Sequence, residues 1–191
     1  NKVRMKISIH CIVLLILLFW VYGCKSPQDD IKDRILEMKA KTVSIPYSQM
    51  RLYIRDSVIK KPNTQAEYKL VVYMDSSHCS ECEMKKMHLW DDFVKLEDKY
   101  DGRFSVVFIV QTSSNSTFDA IVSALDRYEV EYQIYVDNAN VFSKQNPHIP
   151  SRKMYHVFLL DEKNNVVLVG NPLLNSDIEN SLLLILEQGL K

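Results

Sequence analysis

Two short apolar runs, Lys69–Met74 (KLVVYM) and Phe104–Val110 (FSVVFIV), constrain the fold of this chain more than any other feature. Each is brief and almost uninterrupted by polar residues, the pattern of a strand buried on both faces. Between them the period changes. Met87, Trp90 and Val94 recur at helical spacing with Phe93 alongside, which predicts a helix from the loop Asp75-Ser76-Ser77-His78 to about Asp98. Asp101-Gly102 then predicts a turn.

The alternation continues. Residues 116–128 read as a helix with Ile121, Leu125 and Tyr128 on one side, and Tyr132–Val136 reads as a strand. Asn138–Ile149 reads as irregular or briefly helical, bounded by Pro147 and Pro150. Val157–Leu160 and Val166–Val169 flank the turn-forming Asp161-Glu162-Lys163-Asn164-Asn165, which predicts a hairpin. Asp177–Gln188 closes the chain as a helix with Leu182, Ile185 and Leu186 inward. The expected class is α/β, a central mixed sheet flanked by helices with a C-terminal β-hairpin and helix. Upstream, Ile31, Ile35 and Met38 suggest a polar helix, and residues 42–65 read as an N-terminal extension with one or two short strands.

Composition sets outer limits. The 191 residues carry 24 Lys+Arg against 24 Asp+Glu and are 47% hydrophobic, with 4 Gly and 6 Pro. That suffices for a buried core and is too apolar for a disordered chain. A net charge of zero gives no basic footprint, so nucleic acid is not an expected partner.

The first 23 residues read as an address. Lys2, Arg4 and Lys6 precede the apolar run CIVLLILLFWVY, Cys11–Tyr22, which is too short for a spanning helix and fits a secretory signal. The run ends in Gly23-Cys24, followed by the polar Lys25-Ser26-Pro27-Gln28-Asp29-Asp30. This junction resembles the lipobox of bacterial lipoproteins, which implies that Cys24 is lipidated, for example with palmitate, and becomes the first mature residue. Residues 24–41 would then be a tether and polar helix, and the protein would sit in the cell envelope, facing the periplasm or the cell surface, held to a membrane without spanning it. Removing the leader takes away three bases and no acids, which leaves a net charge of −3. Disulfides persist in such a compartment.

Cys79-Ser80-Glu81-Cys82 lies between the first buried strand and the helix predicted after it. A cysteine at a helix start lies near unpaired backbone N–H groups that favour its thiolate, and the residue three further on lies one turn away on the same face. Cys79 is therefore the expected nucleophile and Cys82 the buried resolving thiol. Glu81 would disfavour the thiolate and a protonated His78 would favour it.

The segment KLVVYMDSSHCSECEMKKMHLWDDF resembles the active-site region of the thioredoxin-like superfamily, in particular its membrane-anchored extracytoplasmic thiol-disulfide oxidoreductases. YHVFLLDEKNNVVLVG resembles the hairpin that closes that fold. The likeness covers about residues 66–189 in the order of elements, with those two segments matching in detail; it implies a thioredoxin-like domain over 66–191, disulfide exchange with other proteins, an upstream electron donor, and no cofactor beyond a Cys79–Cys82 disulfide. Three positions depart from the pattern. His78 replaces the usual Trp, Ser80-Glu81 replaces the usual Gly-Pro, and the family's cis-proline position falls near Tyr155. Either a loop brings Pro150 to that place, or Tyr155 and His156 face the sulfurs. A peroxiredoxin is disfavoured, because its Pro and Thr positions hold Val72 and Ser76.

The alternatives are a structural disulfide in a redox-inert lipoprotein and a metal site. Copper-handling members of the superfamily use two cysteines and a histidine before a later hairpin strand, a place comparable to His156. Two thiolates and an imidazole suit Cu(I), so Cys79, Cys82 and His156 form the candidate set of a copper-binding or metallochaperone module. Otherwise His156 is a hydrogen-bonded structural residue. His88 is expected on an exposed helix flank and His148 in a loop.

Overall fold

The computed structural model describes residues 26–55, 63–76, 80–113 and 117–190, apart from the side chains of Ser80 and Glu81. The chain divides into two compact units, residues 1–34 and 35–191. Of the first, the described part begins helix α1 (Pro27–Lys39). Ser26 caps it: its Oγ accepts from the Asp29 N–H at 3.2 Å and donates to Asp29 Oδ2 at 2.8 Å. The expected signal segment and Cys24 lie outside the described residues. No helix among those described is long and apolar enough to cross a membrane.

The second unit is built on a mixed sheet. Its strands are β1 (Arg51–Tyr53), β2 (Tyr68–Met74), β3 (Phe104–Gln111), β4 (Ile134–Asp137), β5 (Val157–Leu160) and β6 (Val166–Val169), in the spatial order β1-β4-β3-β2-β5-β6. The central strands β4, β3 and β2 are parallel, with Phe108 opposite both Val72 and Ile134. Strands β5 and β6 form the antiparallel hairpin, and β1 pairs antiparallel to β4 at the other edge. Helices α2 (Ser80–Met84), α3 (Asp91–Lys99), α4 (Phe118–Arg127), α5 (Val141–Gln145) and α6 (Ser176–Gly189) complete the α/β architecture expected from the sequence.

Side chains alternate along each strand, so the sheet has two chemically different faces. On the first, Leu70, Val72, Phe104, Phe108, Val110, Ile134, Val136, Val157 and Leu159 form one cluster with Trp90, Phe93, Ile121, Leu125, Leu182 and Leu186 from the helices. Trp90 meets Phe108 edge-on at 6.1 Å between ring centroids. The second face also carries buried apolar residues (Val71, Ile109, Phe158, Leu160), but Lys69, Tyr73, Ser105, Gln111, Tyr135 and Asp137 alternate onto it from the same strands. Its cover includes the short α5, whose Phe142 ring lies 4.9 Å from that of Tyr73.

Two buried polar side chains on that side hold α5 at its two ends. The fully buried Asp137 carboxylate accepts from the N–H groups of Ala139, Val141 and Phe142 at 3.3, 2.9 and 2.9 Å, and so caps the start of α5. Asn146 closes the end of the same segment: its Oδ1 accepts from the Ser44 N–H at 2.8 Å, and its Nδ2 donates to the carbonyls of Ser44 and Phe142, each at 2.8 Å.

Three expectations are refined. The helix read as continuous to Asp98 is broken into α2, a 3-10 turn at Met87–Trp90, and α3. The reason lies in the apolar spacing: Met84, Met87, Trp90 and Phe93 are all buried and fall at every third residue, the period of a 3-10 helix. Val94, placed by the sequence pattern on the inner stripe, is only partly buried. The segment 42–65 joins the sheet through β1 and through a bridge between Thr42 and Asn165. Strand β4 starts at Ile134, and Tyr132 lies just before it, stacked on Phe108 at 5.3 Å.

The predicted turns have the local chemistry they require. Asp101 and Gly102 both adopt positive φ, 52° and 74°, which the glycine takes at no steric cost. In the hairpin, Asp161 Oδ1 accepts from the Lys163 and Asn165 N–H groups at 2.9 and 2.8 Å. Asn175 caps α6 by accepting from Asp177 N–H at 2.8 Å.

Candidate functional site

Strand β2 ends at Met74, and α2 starts at Ser80. The Cys79-Ser80-Glu81-Cys82 sequence therefore falls on a strand-to-helix junction. Cys82, expected from the sequence to be buried, lies instead in the first turn of α2 and is exposed, because that short helix turns this position outward. His78 and Cys79 lie outside the described residues, as does the side chain of Glu81.

Two cavities flank the junction. The first, about 220 Å³, is a groove walled by Glu83 and Lys86 after the motif, Leu89 and Trp90 on the 3-10 turn, Lys153, His156 and Val157 entering β5, and Leu173 and Leu174 after β6. Leu89 and Leu174 are 49% and 81% exposed, so the rim presents apolar surface to solvent. Lys153 donates to Glu83 Oε1, an ion pair that ties the approach to β5 to α2. The second cavity, about 240 Å³, opens on the more polar face and is lined by Ser76, Gln111, Ser143, Asn146, Pro150 and Ser151. Tyr73, Asp75 and His156 belong to the walls of both.

These shared residues are closely packed. His156 is 2% exposed. Its Nε2 lies 3.0 Å from the Pro150 carbonyl oxygen, which can only accept, so Nε2 carries the hydrogen. Its Nδ1 faces Asp75 Oδ2 at 4.0 Å, and its ring packs on Tyr73 at 4.9 Å between centroids. The Tyr73 N–H donates to the His156 carbonyl at 2.9 Å and extends the β2–β5 ladder to the junction. The Tyr73 hydroxyl donates to Gln111 Oε1, and Gln111 Nε2 donates to Ser76 Oγ at 3.2 Å. Burial pushes the Tyr73 phenol up to about 12; the Asp75 and Asp137 carboxylates add to that, and a hydrogen bond with Ser143 opposes it.

The sequence-derived candidates are thus distributed unevenly. His156 and Pro150 meet beside Asp75, at the base of the junction. Tyr155 is fully buried, lies on the wall of neither cavity, and has a hydroxyl without a hydrogen-bond partner among the described residues. His88 is exposed, with Nδ1 3.1 Å from the Lys85 carbonyl. His148 is buried in its loop, and its Nε2 has no partner among the described residues. No group of three His, Cys, Asp or Glu residues placed to hold a metal occurs among the described residues, a set that leaves out Cys79.

Sequence reasoning passed over Asp75, Glu83, Lys86, Lys153, Gln111 and the Leu173-Leu174 pair. Asp75 had a signal, since it ends an apolar run immediately before the motif. Gln111 had a weaker one, as the polar end of another apolar run. Lys153 and the leucines had none, because the chain returns to the junction only through the sheet.

No protein-family model matches the chain, and no curated protein matches it. Solved structures do. A domain of a possible thiol-disulfide isomerase from Cytophaga hutchinsonii is similar at 17% identity and a TM-score of 0.46, over 66% of this chain and 80% of that one. The thioredoxin domain of a thiol-disulfide oxidoreductase from Bacteroides vulgatus is similar at 15% identity and a TM-score of 0.44, over 66% and 81%. A thioredoxin-like protein from Bacteroides caccae is similar at 17% identity and a TM-score of 0.43, over 85% and 57%.

Proposed function

We propose that this protein is a lipid-anchored, extracytoplasmic thiol-disulfide oxidoreductase that acts on other proteins through Cys79 and Cys82. The observation that carries the reading is the position of the motif. It bridges the end of β2 and the start of α2, with Cys82 exposed in the first helical turn and the next residue, Glu83, on the wall of a groove with an apolar rim. A bridge serving only stability has no need of that groove.

In the reductive direction the Cys79 thiolate attacks a substrate disulfide, and one substrate sulfur leaves as a thiolate. Cys82 then attacks Cys79 in the mixed disulfide, which releases the second substrate thiolate and leaves the Cys79–Cys82 disulfide. Two electrons pass from the cysteine pair to the substrate, and an upstream donor restores the dithiol. The lipid on Cys24 would keep the reaction at the envelope surface, where the protein meets its partners.

The test is a redox titration of the full chain in graded thiol/disulfide buffers with metal chelated, free thiols being trapped and counted by mass. A reversible two-electron couple, with Cys79 alkylating much faster than Cys82 near neutral pH, is expected. A pair locked in one state across the titration, or two equally inert thiols, would rule the oxidoreductase out. Mass analysis of membrane-extracted protein tests the anchor: the expected species begins at an acylated Cys24, and a chain retaining residues 1–23 would refute it.

A further inference from the structure

The more polar face of the sheet buries one nucleophile for which disulfide exchange has no use, the amine of Lys69. Lys69 is the second residue of β2, opposite Ser105 of β3 and Leu160 of β5, at the end of the strand remote from the strand-to-helix junction. It is only 4% exposed, and lysines are rarely buried so completely unless an opposite charge pairs with them. Here the amine donates instead to a neutral acceptor, Asn164 Oδ1, at 3.2 Å. Burial lowers its pKa from the usual lysine value while the Asp161 charge opposes the change, so a larger share of the amine is uncharged and nucleophilic.

The amide that faces it is fixed in place. Asn164 stands in the β5–β6 turn at φ 61°, a left-handed conformation that asparagine adopts more readily than most residues. Its N–H donates to the Asp161 carbonyl at 3.0 Å, and its own carbonyl accepts from the Val43 N–H at 2.9 Å. The Asp161 carboxylate holds the rest of the turn by accepting from the Lys163 and Asn165 N–H groups and from Asn165 Nδ2. Thr42 bridges to Asn165 over the same turn. Amine and amide, 95 positions apart in the chain, thus meet on two segments of backbone that are each held from more than one side. Holding two reacting groups together in this way replaces the entropy cost of an encounter.

We propose that Lys69 and Asn164 condense into an intramolecular amide that staples β2 to the tip of the hairpin. Lys69 Nζ attacks Asn164 Cγ and a C–N bond forms. The Cγ–Nδ2 bond breaks, and Nδ2 leaves as ammonia, carrying one proton taken from the amine. No electrons change hands, so the step needs no oxidant, reductant or cofactor. The link restricts the unfolded chain as a disulfide between the same positions would. Unlike a disulfide, it is inert to thiols, which suits a protein proposed to exchange disulfides. Neither residue lies on a wall of the groove or of the polar cavity, so the staple stands apart from the site and from the oxidoreductase reading.

The test is a peptide map of the full chain, unfolded, reduced and alkylated before digestion with trypsin, beside Lys69→Met and Asn164→Gly. Methionine keeps an unbranched side chain in the buried strand, and glycine accepts the positive φ of the turn. The main species expected from the unaltered protein is a branched peptide that joins the segments holding Lys69 and Asn164. It should be lighter than their sum by one molecule of ammonia and uncut after Lys69. Both variants should give linear peptides only and should melt at a lower temperature than the unaltered protein. Linear peptides cut after Lys69 as the main species of the unaltered protein would overturn the proposal, and that result is read whether or not a variant folds. Loss of one ammonia that survives in Asn164→Gly would overturn it too, because the link would then lie elsewhere. Thiol exchange without the link removes the staple and leaves the oxidoreductase reading standing; the link in a protein that exchanges nothing does the reverse.

Discussion

The two faces of the sheet solve the same burial problem with different chemistry. The first is an apolar interlock, in which Phe108, Trp90, Phe93 and Leu159 pack with Leu182 and Leu186. Stability there scales with area removed from water, about 25 cal/mol per Å². The second face carries Lys69, Gln111, Asp137 and His156 among its apolar residues. Those polar groups add little net stability when satisfied and cost much when left unsatisfied. The first face should tolerate changes of shape and punish loss of volume. The second should tolerate loss of volume better than loss of a single acceptor. The proposed site opens at the end of the sheet where the two meet.

The largest expected effect belongs to the apolar side. Phe108→Ala should cost about 3–5 kcal/mol in urea denaturation, the usual range for deleting a buried aromatic ring. A cost near that of a surface substitution would show that this face is loosely packed and would weaken the contrast.

Asp137→Ala should rank next, at about 2–3 kcal/mol, because it leaves the Ala139, Val141 and Phe142 N–H groups without their acceptor in a buried place. Asp137→Asn, which keeps an acceptor, should cost clearly less. Equal losses for the two variants would mean that charge, not hydrogen bonding, holds α5 in place.

The smallest effect depends on pH. Burial is the main cause holding the folded-state pKa of His148 below 6.5; Lys41 adds to it and Glu37 opposes it. As the pH falls below about 6.5 the unfolded chain therefore takes up a proton at this position before the folded chain does. Stability is lost progressively from there downward, and the loss levels off once folded His148 is protonated as well. His148→Gln should remove this component, so that between pH 7 and pH 5 its Tm falls by about 1–3 °C less than that of the unaltered protein. Parallel Tm curves for the two proteins would place the acid sensitivity elsewhere.

The first face was largely legible in the sequence. Leu70, Val72, Phe104, Phe108 and Val110 lie in continuous apolar runs, and Leu182 and Leu186 lie at helical spacing; such patterns record burial directly. The exception is the 3-10 turn at Met87–Trp90, where Met87, Trp90 and Val94 also fit the spacing of a continuous helix. Of the site, the place of the motif between a strand and a helix was legible, as was a hydrogen-bonded, buried His156. Asp75, Gln111 and the groove walls were not. A polar residue at the end of an apolar run looks the same in sequence whether it ends in water or against a buried partner.

By itself the sequence determined the order and kind of the elements, the hairpin, the turns at Asp101-Gly102 and Asp161–Asn165, and the position of the two cysteines. These are set by backbone preference and by hydrophobic period, which act over a few residues at a time. Tertiary structure decided which polar residues share a buried site. Asp75 meets His156, Tyr73 meets Gln111 and Ser44 meets Asn146 across long stretches of chain. The first two pairings follow from strand order and register: β2 lies between β3 and β5, so groups distant in sequence arrive at one end of one sheet, where desolvation makes their mutual hydrogen bonds and charges matter.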